Sequence, residues 1–464
     1  MAPRLRRPAM RVRFRPRQGW RNRVLRLPPP LTLLVLYAAL VALGAVLLKL
    51  PFALEDPVAH PVGWGDAVFM SASAVTVTGL VVVDPASAFT FFGEAVIAAL
   101  IQLGGLGLMA FAVLILTALG MPVGLPRSIT LREDLGQTSL RDLGRLVKLI
   151  AIVVVSFEVV GALALCFVFV PDLGLWPGIW HAVFFSISAF NNAGFALFAD
   201  SLTGYALDPF VNVTVPVLFI VGGLGFAVIA DLHRHGYRFA PLNLHSKLML
   251  VGTACLIVWA VATFAVLEWN NPRTLGLFDD PVHKLTVAWF QGVTPRTAGF
   301  NTADFAAVHD STAFMTITLM LVGGGPTSTA GGIKVTTFIC LILATLAFFR
   351  RSTELNAFGR SIPLEDVLRV TALVAVAMLF VAVATFLVLL SHDGDFLDLL
   401  FEVASAFGTV GLSRGATGEL DGLGRTVIIA LMFAGRVGPL TLGFFLATRV
   451  RPRVRYPRGQ VFLG

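Results

Sequence analysis

Four short segments stand out from an apolar chain by their threonine, asparagine and glycine: SASAVTVTGL at residues 71–80, SAFNNAGF ending at Phe195, TPRTAGF ending at Phe300, and SAFGTVGL ending at Leu412. They share a glycine, at Gly79, Gly194, Gly299 and Gly411, spaced 115, 105 and 112 residues apart. Such segments hold no nucleophile with a base beside it, no paired carboxylates and no metal-ligand spacing. What they can offer is main chain. Four extended bends around one axis can point carbonyl oxygens at a bare cation and replace its water shell. The candidate ligands are therefore the carbonyls of Val77, Thr78 and Gly79, of Asn192, Ala193 and Gly194, of Thr297, Ala298 and Gly299, and of Thr409, Val410 and Gly411. Turning successive carbonyls to one side demands backbone angles that a residue with a Cβ reaches poorly, so a glycine at each bend is expected.

A second feature keeps step with the first. A glycine pair follows 25, 28 and 24 residues after the first three glycines, at Gly104-Gly105, Gly222-Gly223 and Gly323-Gly324, and the fourth copy reads Gly435-Arg436 at 24. Two features in register across four units make the chain a fourfold array.

Composition says what the array sits in. Hydrophobic residues make up 56% of 464, charged residues 13%, and the mean hydropathy is +0.83, which points to an integral membrane protein. The formal charge of +8 is concentrated: ten arginines lie within residues 1–26 and five within 449–458. Beside membrane spans, such runs indicate cytoplasmic ends and contact with anionic lipid rather than nucleic acid. No cleaved signal peptide is expected at the amino terminus. Cys166, Cys255 and Cys340 stand singly in apolar runs and read as packing residues.

In order, the chain reads as a basic cytoplasmic segment 1–29; repeat 1, 30–120; repeat 2 with its preceding basic loop, 121–232; repeat 3, 233–350; repeat 4, 351–448; and a basic cytoplasmic tail, 449–464. Each repeat holds a span, a short re-entrant helix, a bend and a returning span. The spans are placed at 30–50, 89–119, 149–170, 209–230, 248–267, 312–349, 367–390 and 426–447, and the short helices at 64–75, 176–189, from 280, and at 395–406. Asp280-Pro281 is the clearest helix start, aspartate as cap and proline in the first turn. Basic residues between units fall on one side, so the repeats run parallel about an axis along the membrane normal. The fold class is all-α, with eight transmembrane helices and four re-entrant pore helices around a central pore.

Residues 323–332 interrupt the third returning span: Gly323, Gly324, Gly325, Pro326, Thr327, Ser328, Thr329, Ala330, Gly331 and Gly332. Helix propensity collapses there, and free backbone at membrane depth is tolerated only against protein or a wet cavity. An intramembrane loop below the bends is predicted. A static kink, with Thr327, Ser328 and Thr329 satisfying the backbone, is the alternative. A nucleotide P-loop is excluded, because Ile333 separates Gly332 from Lys334. Arg436 places a charge mid-span, which is costly enough to imply a function. It is expected either to bond pore-helix or loop groups, or to pair with a carboxylate such as Glu402. Arg296 should point away from the axis, and nothing in the sequence assigns partners to Glu94, Glu158 or Glu268.

The four segments AVTVTGL, SAFNNAGF, TPRTAGF and SAFGTVGL resemble the filter segments of the Trk/Ktr/HKT superfamily of potassium transporters, over residues 30–448 and most nearly its Ktr-type membrane subunit, since two leading helices of Trk-type members have no counterpart. The resemblance implies potassium as the transported ion, because a glycine in every filter copy goes with potassium and a serine in the first copy with sodium-preferring relatives. It further implies a gating role for residues 323–332 and an arginine at position 436, a homodimer, and cytosolic nucleotide-binding regulatory subunits of the RCK type. Sodium enters as a candidate activator, and no organic cofactor is implied. Residence in the cell's plasma membrane and no enzymatic activity follow from the same likeness. Two other readings stay open: a sodium-conducting member of the superfamily, and an alternating-access transporter of another solute.

Overall fold

A computed structural model describes residues 29–56, 61–107, 143–352 and 354–438. The basic termini, the loop from 121 to 142 and the ends expected for the first and fourth returning spans lie outside these residues. The described chain is mostly helical. Four units succeed one another: α1 (Pro29–Leu48), α2 (Trp64–Thr76) and α3 (Phe91–Gly105); α4 (Leu143–Leu173), α5 (Leu175–Phe190), α6 (Pro209–Leu224) and α7 (Phe226–Arg234); α8 (Leu244–Glu268), α9 (Pro281–Val293), α10 (Asp310–Leu321) and α11 (Val335–Phe349); α12 (Leu364–Ser391), α13 (Phe396–Gly408) and α14 (Gly422–Val437). Among the described residues, α8, α12 and residues 148–173 of α4 are each long and apolar enough to cross a membrane, as is the bent pair α6–α7 taken together.

Local chemistry explains where the short inner helices begin. Asp280 caps α9 by accepting from the Val282 amide (2.9 Å) with Pro281 in the first turn, and Asp395 caps α13 through the Leu397 amide (2.8 Å). Asp66 reaches back to the Gly63 amide (2.8 Å) at the start of α2. These carboxylates satisfy orphan amides and suit the positive helix end. Each inner helix packs on the first helix of its unit, α2 on α1, α5 on α4, α9 on α8 and α13 on α12. The last halves of α2 and α13 are wholly buried, residues 69–76 and 401–408, and those of α5 and α9 largely so, whereas α4, α8 and α12 turn Phe167, Val258 and Phe386 outward. Apolar residues therefore lie on both sides of the outer helices, as expected where the surrounding solvent is lipid. An ion pair between Arg425 of α14 and Asp66 of α2 (2.6 Å) closes the last unit onto the first.

Two features differ from the sequence expectation. The span placed at 209–230 is broken: α6 and α7 meet at an angle of 92° at Gly225, whose φ is +96°. The cause is a third glycine three residues after the first of each pair, at Gly107, Gly225 and Gly438, and all three have positive φ; the third unit has Pro326 in that register. A Cβ on Gly225 would also strike the carbonyl oxygen of Pro326. The third returning span is interrupted as expected, between α10 and α11. Finally, a two-stranded hairpin, β1 (Leu355–Ala357) and β2 (Arg360–Ile362), precedes α12. Phe358 and Gly359 turn it with φ of 49° and 72°, the left-handed pair that tight hairpins need.

The glycine pairs have a packing role. A Cβ on Gly104, Gly222 or Gly435 would fall on the carbonyl oxygen of Val75, Phe190 or Phe407, at the end of that unit's inner helix. In the third unit Gly323 meets the carbonyl of Gly331 instead. Gly222→Ala should thus force α6 off α5 and cost about 1–3 kcal/mol, seen as a lower melting temperature in detergent. Gly223→Ala, whose new methyl would find only the Asn192 side-chain nitrogen at 3.7 Å, should melt like wild type. Equal melting of the two variants would refute this account.

Candidate functional site: a ring of four bends

Each inner helix ends in an unusual way. Val77, Asn192, Thr297 and Thr409 have φ between 51° and 68°, the left-handed region that glycine normally occupies at a helix end. In three units the end is a Schellman motif. The Val77 amide donates to Ala74 O and that of Thr78 to Ser73 O, Asn192 to Ala189 O and Ala193 to Ser188 O, Thr409 to Ala406 O and Val410 to Ser405 O. The third unit closes with a single bond, Ala298 amide to Thr294 O (3.0 Å). A valine or threonine held left-handed costs on the order of 1–3 kcal/mol, and such strain concentrates at functional positions.

Two residues on, the glycines turn again, with φ of 89° at Gly79, 68° at Gly194, 82° at Gly299 and 92° at Gly411. Their surroundings place them together. A Cβ on Gly79 would fall on the carbonyl oxygen of Ala193, one on Gly194 against Ala298 O and the Gly299 Cα, one on Gly299 on Val410 O, and one on Gly411 on Thr78 O. The four bends therefore form a closed ring in chain order, each pressed on the next, and the four inner helices converge on it by their carbonyl ends. Glycine is required twice over, by φ and by space.

On one face the ring floors a cavity of about 650 Å³. The four glycines line it together with Asp84, Asp200 and Asp304. Sequence reasoning passed over these carboxylates, although they stand five, six and five residues after Gly79, Gly194 and Gly299. Asp84 and Asp304 also cap short turns, through the amides of Ala86 (3.2 Å) and Ala306 (2.9 Å). Charge of one sign at the mouth of a low-dielectric cleft raises the local concentration of cations.

On the other face lies the glycine-rich loop, residues 323–332. The amides of Gly323 and Ile333 bond Ile333 O (2.8 Å) and Leu321 O (3.1 Å), drawing its two ends together. Gly325 and Thr329 donate to the carbonyls of Gly223 (2.8 Å) and Gly222 (3.3 Å), and Phe226, just past the α6 break, donates to Thr327 O (3.1 Å). The loop touches the ring directly: the Thr329 hydroxyl donates to Asn192 Oδ1 (2.6 Å), and Asn192 Nδ2 reaches the Thr297 hydroxyl (3.3 Å). Thr409 Oγ1 is where a Cβ on Gly331 would fall. Of the hydroxyls of Thr327, Ser328 and Thr329, that of Ser328 satisfies backbone, donating to Gly325 O (2.7 Å) and accepting from the Ala330 amide (3.2 Å).

Arg436 reaches across from α14 to this loop. Its guanidinium donates to Thr329 O, to Gly104 O (2.5 Å) and to Gly105 O (3.2 Å), tying the fourth unit to the third and the first. Glu402 is not its partner. That carboxylate is fully buried in α13 and accepts from the Ser413 and Thr417 hydroxyls and the Arg414 amide (3.1 Å), fastening the chain that leaves the fourth bend. Arg296 is turned towards α8 and the root of the loop, 3.5 Å from the carbonyls of Thr253 and Gly323. The other carboxylates also find donors: Glu94 from Trp180 (2.6 Å), Glu158 from Asn191 (3.0 Å), and Glu268 from Asn271 (2.6 Å), Thr274 (2.7 Å), the His309 amide (2.9 Å) and Thr312.

Comparison with known proteins agrees with this arrangement. Residues 58–450 match the TrkH family, described as cation transport protein. The chain is 43% identical over 439 residues to the Ktr system potassium uptake protein B of Bacillus subtilis (strain 168), covering 95% of this chain and 97% of that one. It is 35% identical to the potassium/sodium uptake protein NtpJ of Enterococcus hirae, covering 95% and 98%. The crystal structure of the potassium transporter TrkH from Vibrio parahaemolyticus superposes with a TM-score of 0.71 at 21% identity, over 90% of this chain and 84% of that one, which shows a shared fold. These are transport proteins rather than enzymes, and this chain belongs to the TrkH family of cation transport proteins.

Proposed function

We propose that the chain takes up potassium across the cell's plasma membrane through the ring at Gly79, Gly194, Gly299 and Gly411, and that residues 323–332 gate it. The observation that carries this reading is the closed ring itself, in which each glycine meets the carbonyl of the neighbouring unit. A potassium ion gives up its water to the carbonyls of residues 77–79, 192–194, 297–299 and 409–411, which stand in for hydration. The carbonyl ends of α2, α5, α9 and α13 add the negative ends of four helix dipoles behind it. Asp84, Asp200 and Asp304 gather cations at the mouth. Beyond the ring the ion meets the loop and the Arg436 charge, so conduction requires the loop to leave Asn192.

The relatives named as Ktr system potassium uptake protein B, from Bacillus subtilis and Vibrio alginolyticus, support potassium. Their names also describe a system, which supports further components: a homodimer of this chain with cytosolic nucleotide-binding subunits of the RCK type, docked on the basic loops beside both cytoplasmic termini. The potassium/sodium protein NtpJ supports the second reading, in which sodium is also carried. Four units in one direction do not suit an alternating-access carrier with inverted halves.

Rubidium and sodium flux in proteoliposomes tests the filter. Gly79→Ser puts a side chain onto Ala193 O and should lower the rubidium-to-sodium ratio by about tenfold, a change of about 1.4 kcal/mol; an unchanged ratio removes the ring from the mechanism. Wild type that carries sodium as fast as rubidium would favour the sodium reading. Excising residues 326–330 should raise flux several-fold in the absence of regulatory subunits. Equal or lower flux from folded protein would make the loop a static kink.

A further inference from the structure

Behind each bend sits a buried hydroxyl that the ion-coordinating role does not use: Ser73, Ser188, Thr294 and Ser405, six, six, five and six residues before the ring glycines. All four are fully buried. They work in two opposite senses. Ser73 Oγ accepts from the Gly79 amide (3.0 Å) and Ser405 Oγ from the Gly411 amide (3.1 Å). Ser188 instead donates to the carbonyl of Phe195 (2.8 Å) and Thr294 to that of Phe300 (2.5 Å).

The difference matters because a trans peptide holds its C=O and the following N–H in opposite directions within one plane. Anchoring the Gly79 amide outward fixes the carbonyl of Thr78 on the opposite side, and anchoring Gly411 does the same for Val410. Thr78 O and Val410 O are two of the four carbonyls against which a neighbouring ring glycine is packed. In the second and third units the hydroxyl secures the residue after the glycine, so the peptides of Ala193 and Ala298 are held by their neighbours alone.

We propose that Ser73 and Ser405 are positioning residues for ion preference, acting through the Thr78 and Val410 carbonyls, and that Ser188 and Thr294 anchor the exits of their bends with less influence on that preference. The inference rests on the reading of the ring as the ion filter. Loss of either serine hydroxyl takes from a ring glycine amide its side-chain partner, and the peptide plane is free to tilt.

The test is the rubidium-to-sodium flux ratio of purified protein in liposomes, with Gly79→Ser as the control for the filter itself. Ser73→Ala and Ser405→Ala should each lower the ratio about three- to tenfold, the equivalent of one hydrogen bond. Ser405→Thr, which keeps the hydroxyl as the third unit does with Thr294, should restore it. Ser188→Ala should change the ratio by less than either. A ratio that falls in Gly79→Ser but holds in both serine variants overturns this inference and leaves the filter standing. A ratio unmoved in all three overturns the filter reading. Should Ser73→Ala fail to accumulate, Ser73→Cys keeps the volume with a weaker acceptor, and its ratio decides the same question.

Discussion

The structure turns on a shortage of space: four main-chain bends meet so closely that none of the ring glycines has room for a single carbon. Gly79, Gly194, Gly299 and Gly411 each abut the carbonyl of the next unit, and all four have positive φ. Such contact has to be supported from behind. The support is the end of each inner helix, drawn tight by a Schellman bond pair or its one-bond equivalent and, in three of the four units, pressed in turn by a glycine of the returning helix. Side chains contribute by being small, and by placing hydroxyls and amides where peptide groups lack partners.

A second constraint follows from the surroundings. Irregular backbone at membrane depth has no water to bond, so every loop amide and carbonyl there needs a protein partner. The glycine-rich loop shows how this is met. Its ends bond one another, its middle bonds Gly222, Gly223 and Phe226 at the break between α6 and α7, and Arg436 covers Thr329 O. The break in the second unit therefore exists partly for the loop of the third: Gly225 turns the chain aside where Pro326 O comes nearest. Among the described residues Arg436 is held by carbonyls rather than by a carboxylate, so within them its positive charge is hydrogen-bonded but not neutralised. A bound cation above the loop would feel that charge.

Much of this was legible in the sequence, and the legible part is what recurs. The ring glycines, the glycine pairs and the cap at Asp280 repeat at fixed spacing or carry a local signature, and the inner helices begin and end within a few residues of their expected limits. The third glycine at Gly107, Gly225 and Gly438 repeats just as well and was overlooked, which is why a straight span was expected where α6 bends into α7. Of the two readings of Arg436, the bond to a loop group is the one found, at Thr329 O, whereas Gly104 and Gly105 could not be read, because they lie far away in sequence and meet it through main chain, which has no residue type. Glu402 looked available for the same reason. Its donors, Ser413 and Thr417, are ordinary loop residues until the fourth bend folds back on α13.

The third unit shows how an intramembrane loop can arise inside a symmetric array. In the other three units the first glycine of the pair lets the returning helix lie against the carbonyl end of its own inner helix. Gly323 meets Gly331 instead, and α10 packs chiefly on α13 of the fourth unit and on α8. The inner helix of this unit, with Pro295 in the turn, closes with one bond where the others use two. Freed from its own inner helix, the returning chain runs without helix from 322 to 334 beneath the ring before it resumes as a helix. Its contacts there are hydrogen bonds with Asn192, Gly222, Gly223, Phe226 and Arg436, and the close approach of Gly324 and Gly325 to the carbonyl oxygens of Gly223 and Leu224. The segment that runs as a loop is therefore the one whose unit gave up the packing rule that the other three obey.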